Sequence, residues 1–137
     1  MEAGMGFKQL VATLAIVLVI LLYFVVGSEN VSGILQKYAE DKLKDSPDRQ
    51  EQIMFFNIQY CDFTAKYQAA LDYLARYSAK FDKEENRDKA LFMKAKIMDD
   101  MMQARAAEDA YKAYTDQFPD GKYAAKARRR FDELKSY

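Results

Sequence analysis

Displaced by 37 residues, the C-terminal part of the chain falls onto itself. Phe55 meets Phe92, Asp62 meets Asp99, Ala69 and Ala70 meet Ala106 and Ala107, and Tyr77 meets Tyr114. Asp72 meets Asp109, Phe81 meets Phe118, and Lys89 and Ala90 meet Lys126 and Ala127. The register passes from one pair of apolar-periodic segments into the next without a gap. Self-similarity at such a period implies stacked supersecondary units, each unable to bury its apolar face alone. The apolar spacing inside each unit is helical and predicts helices over about 47–64, 67–81, 87–102, 105–118 and 122–135. Ser46 and Pro47 suit a helix start, while Pro119 and Gly121 suit a stop. Ile34, Leu35, Tyr38, Ala39 and Leu43 make one face of a further helix over 31–44. With only 5 Gly and 2 Pro in 137 residues, the expected fold class is all-α.

The side-chain inventory narrows the chemistry. There is no histidine, so the commonest neutral-pH base and transition-metal ligand is missing. The one cysteine, Cys61, can form neither an internal disulfide nor a thiolate metal site by itself, and its apolar surroundings predict packing. The 21 basic and 21 acidic side chains balance, which gives no global pull toward nucleic acid. No phosphate loop, dinucleotide fingerprint, zinc spacing or nucleophile elbow is present. The acidic stretch 82–86 and Asp99–Asp100 read as solvated charge, and the basic run from Lys122 to Arg130 as the wet face of a terminal helix. Met98 and Met101 are expected in the core. The expectation is therefore no enzyme, no cofactor and no metal.

The N-terminus reads differently. From Leu10 to Val26 no side chain is charged, and with Phe7 to Gln9 the run would span about 30 Å as a helix. This predicts a tail and uncleaved transmembrane anchor over 1–27, a helix and linker over 28–46, and a helical domain over 47–137. The expected partner of residues 7–26 is the lipid bilayer, with Tyr23 and Phe24 at its interface. Lys8 is the only basic side chain before the run, which favours a cytoplasmic tail, an inner-membrane span and a periplasmic domain.

Ala107, Tyr111, Tyr114 and Pro119 carry a family resemblance: a small residue, an aromatic four on, a core residue three on and a proline five on. This phrase resembles the second-helix signature of tetratricopeptide repeats, in the form found in bacterial envelope proteins. Tyr114 departs from the alanine usual at that position, and the earlier copy, Ala70, Leu74 and Tyr77, has Asp82 in place of the proline. The resemblance covers about 50–137. It implies antiparallel helical hairpins in a small solenoid and binding to other proteins through the first helix of each pair. Carried over, the groove positions are Gln52, Phe55, Gln59 and Asp62 in one copy, and Lys89, Phe92, Lys96 and Asp99 in the other. Phe55 and Phe92 either anchor a partner or pack against neighbouring helices. The expected function is a membrane-anchored interaction scaffold or assembly factor. The alternative is a permanent accessory subunit of a multisubunit membrane complex.

Overall fold

The computed structural model describes the backbone of residues 3–136 and the side chains of 6, 8–22 and 30–136. It is all-helical: α1 (Ala3–Lys42), α2 (Pro47–Phe63), α3 (Tyr67–Lys80), α4 (Glu84–Asp100), α5 (Ala104–Gln117) and α6 (Ala124–Lys135). These bounds lie within a few residues of those read from apolar periodicity. The chain divides into two units, residues 1–34 and 35–137.

In the first unit, every side chain from Leu10 to Leu22 is exposed around the whole circumference of α1. Among the described residues, however, no helix is long and apolar enough to cross a membrane. The transmembrane anchor expected over 1–27 is corrected accordingly, and with it the single-pass, inner-membrane placement and the bilayer contact through 7–26. Tyr23 and Phe24, expected at an interface, lie outside the described residues. The helix expected over 31–44 is the last part of α1 rather than a separate element.

The second unit is built from two apolar clusters that share α4. In the first cluster, Met54, Ile58 and Cys61 of α2 meet Ala70, Leu74 and Tyr77 of α3 and Ala90, Met93 and Ile97 of α4. In the second, Phe92 and Ala95 of α4 meet Ala107, Tyr111 and Tyr114 of α5 and Ala124 and Ala127 of α6. Cys61 is fully buried, as its apolar setting predicts. The end of α1 is held to α2 by buried amides. Gln50 Nε2 donates to the Ala39 carbonyl at 2.7 Å, and Asn57 Nδ2 donates to Gln36 Oε1 at 3.4 Å. A buried carbonyl left without that donor would cost about 1–3 kcal/mol, so the amides specify how the end of α1 seats.

The 37-residue offset is a property of the packing as well as of the sequence. The Tyr77 hydroxyl donates to Glu51, and the Tyr114 hydroxyl donates to Asp88. Phe55 lies 5.4 Å from the Tyr77 ring, and Phe92 lies 5.7 Å from the Tyr114 ring. Both first helices end in a left-handed residue, Ala65 at φ 57° and Met102 at φ 60°. The next amide, of Lys66 or Gln103, returns to the carbonyl of Cys61 or Met98 in each copy. Neither left-handed residue is a glycine, the residue that adopts this region most readily. Met102→Gly is expected to raise stability by about 1 kcal/mol, measured as a higher urea midpoint at unchanged slope. Ala65→Gly should do the same. Gly121 shows the opposite constraint. A Cβ there would meet the Tyr114 hydroxyl at 2.6 Å and Phe118 Cβ at 2.9 Å, so the turn after α5 closes onto the repeated tyrosine only because no side chain intervenes.

Candidate partner-binding pocket

The alternate helices α2, α4 and α6 place one face of the second unit together. Six of the eight groove positions read from the sequence line one pocket of about 310 Å³ there: Phe55, Gln59, Asp62, Lys89, Phe92 and Lys96. Gln52 instead lines a neighbouring depression beside Glu51 and Lys80. Asp99 is turned toward α6, where Arg130 Nε and Nη2 grip its two oxygens at 2.6 and 2.9 Å. Met93, Tyr123 and Lys126 complete the pocket and were missing from the sequence-derived set. Lys126 was legible, since it stands 37 residues after Lys89. Tyr123 has no aromatic counterpart one repeat earlier, where Asn86 stands.

The two phenylalanines have different surroundings. Phe92 is 7 % exposed and stacks on Tyr123 at 4.5 Å and 10°. Phe55 is half-buried. A lysine from the next first helix lies over each ring, Lys89 at 5.1 Å from Phe55 and Lys126 at 5.6 Å from Phe92, close enough for attraction to the ring face. The lysines differ in pairing. Lys89 meets Glu51 at 2.5 Å, and Lys96 meets Asp62 and Asp100, each at 2.5 Å. Lys126 is exposed and has no carboxylate partner among the described residues.

Asp62 is 7 % exposed, and its Oδ1 accepts no hydrogen bond. Burial raises its pKa above the usual carboxylate value, against the pull of Lys96. Burial depresses Lys96, but hydrogen bonds to Asp100 and Asp62 outweigh it and leave that pKa raised. At Asp99 the order reverses: the Arg130 hydrogen bonds hold its pKa below the usual value. Hence the two repeat-related aspartates have opposite pH dependence. Asp99 stabilises the fold above the unfolded pKa of about 3.9, and that stability is lost as pH falls through its lower folded value. Asp62 takes up its proton in the folded state first, so its contribution becomes more favourable as pH falls through its raised value toward about 3.9. Relative to wild type, Asp62→Asn is expected to gain most at neutral pH and to lose that advantage on mild acidification. Asp99→Asn should lose most at neutral pH and converge with wild type only in strong acid. Urea titrations at several pH values read both.

No group of three or more Cys, Asp or Glu side chains among the described residues could hold a metal ion. Asp100 and Glu51 serve ion pairs, and the hydroxyls of Tyr77 and Tyr114 are held protonated, foremost by burial. The pocket therefore offers apolar walls, a free ammonium and a buried acceptor, a set suited to holding a ligand. Compared with known proteins, the chain matches no family model, no curated protein and no solved structure.

Proposed function

We propose that residues 35–137 are a protein-binding module, with the α2–α4–α6 pocket as the seat of a short segment of another polypeptide. The carrying observation is the combination of the half-buried Phe55 ring, the Lys126 ammonium, which has no carboxylate partner among the described residues, and the unpartnered Asp62 Oδ1 around one opening. A segment with an apolar side chain, a nearby carboxylate and a free backbone N–H answers all three groups. The tetratricopeptide-like spacing supports the same reading, because it assigns the first helices to partner contact. Selection of short peptides on the full chain is expected to enrich an apolar residue beside Asp or Glu. Lys126→Glu, at an exposed position, should abolish that enrichment without changing the fold. Enrichment that survives Lys126→Glu, or none at all, would overturn the assignment.

A permanent place in a larger assembly is the second reading. It is favoured by the exposed side chains from Leu10 to Leu22, since apolar surfaces of that extent mark interaction sites. Native mass measurement of the tagged full chain from its own cells separates the two readings. Fixed stoichiometry with other chains supports the subunit, and a free monomer argues for transient binding.

A further inference from the structure

A second opening lies on another face of the same unit, where α3, α4 and α5 meet, with a volume of about 570 Å³. Its position follows from the way the core is divided. Leu71 and Leu74 belong to the first apolar cluster and Leu91 and Met98 to the second, and all four line the opening. The two clusters share α4, and at this seam both remain open to solvent. The lining from α3 includes Leu71, Leu74 and Ser78, a stripe at helical spacing, and α4 supplies Ala90, Leu91 and Met98 along the other side.

The charges on this groove have one sign. Arg87 and Lys94 line it, both are exposed, and neither has a carboxylate partner among the described residues. No acidic side chain lines it. The two cations stand seven residues apart on α4, so they share a face at a separation of about 10 Å along the axis. Between them lie Ala90 and Leu91.

We propose that this groove docks an acidic amphipathic helix of a partner protein, one that sets carboxylates seven residues apart against Arg87 and Lys94 and lays its apolar face over Leu91 and Met98. The groove is built of helical stripes, so its apolar rows and its charges both match the period of a helix better than that of a strand. Docking would join the two clusters across their seam and neutralise two cations that have no carboxylate partner among the described residues. Unlike the α2–α4–α6 pocket, this groove contains no aromatic ring and no acid.

The test uses the full chain and a labelled, alanine-rich synthetic helix with Glu at i and i+7 and Leu at i+3 and i+4. A control peptide of the same composition carries the two Glu on the opposite face. The matched helix is expected to bind, and the control to bind about tenfold more weakly or worse. Arg87→Glu with Lys94→Glu should remove binding of the matched helix and restore binding to a version carrying Lys at i and i+7. Both substitutions sit on exposed positions, and circular dichroism checks that the fold is unchanged. Equal binding of the matched and control helices would overturn the proposal. So would retention of the matched helix by the double variant, displacement of it only by a long-chain fatty acid, or occupation of the groove by a second copy of the chain.

Discussion

Tyr77→Ala is expected to cost about 3–5 kcal/mol, the range for removing a large, fully buried aromatic side chain. Tyr77 is 0 % exposed and sits where the first hairpin meets the second. Its ring lies 5.4 Å from Phe55 of α2 and 5.1 Å from Phe81, and its hydroxyl reaches Glu51 and lies 3.3 Å from Asn86 of α4. Truncation opens a void at that junction. It also leaves Glu51, which pairs with Lys89 across the hairpins, without its second partner. A domain of this size has a total stability of order 5–15 kcal/mol, so the loss should lower the melting temperature by roughly 15 °C or more. Tyr77→Phe retains the ring and removes only the donor to a carboxylate, at a cost of about 1.5–3 kcal/mol. The equivalent pair of substitutions at Tyr114 should rank in the same order, because its hydroxyl meets Asp88 one repeat later. A small loss for Tyr77→Ala, or one no larger than for Tyr77→Phe, would contradict the view that the repeated tyrosine holds successive hairpins together.

That tyrosine was legible because period and size agree: an aromatic recurring 37 residues apart among small residues must pack. Ala70, Leu74, Tyr77, Ala107, Tyr111 and Tyr114 are all buried, whereas Pro119 is exposed and acts through its backbone. Its carbonyl accepts from the Arg128 guanidinium, a contact no spacing rule foretells. The left-handed residues were not legible. Ala65 and Met102 carry no glycine signal, and the turn is imposed by the packing of the helices on either side. The partition of the aspartates was equally hidden. Asp62 and Asp99 are identical letters at equivalent positions, yet one meets a lysine through a single oxygen and leaves its other oxygen without a hydrogen bond, while the other meets a forked guanidinium. The difference arises from residues 34 and 31 positions onward, in the next repeat. The N-terminal anchor was read from hydropathy alone, and among the described residues no helix is long and apolar enough to cross a membrane.

Phe92→Ala and Phe55→Ala separate packing from recognition at two positions that the repeat makes equivalent. Phe92 contacts Tyr111, Tyr114 and Tyr123 at centroid distances of 6.0, 5.7 and 4.5 Å and is almost fully enclosed. Its truncation is expected to cost about 3–5 kcal/mol and to weaken the seating of α6, which reaches the ring through Tyr123. Among the described residues Phe55 has one aromatic neighbour, Tyr77, and it is half-buried, so its truncation should cost about 1–2 kcal/mol. Denaturant midpoints of the two variants give the ratio directly. If both costs are small and equal, the rings are surface anchors and the enclosure of Phe92 contributes little. If Phe92 costs several times more, as the geometry requires, then loss of binding in Phe92→Ala reports unfolding. Phe55 then becomes the aromatic position at which recognition can be read, and Lys126 the charge. Phe92 then serves to hold α6 against α4 and α5, the use that its enclosure by Tyr111, Tyr114 and Tyr123 implies.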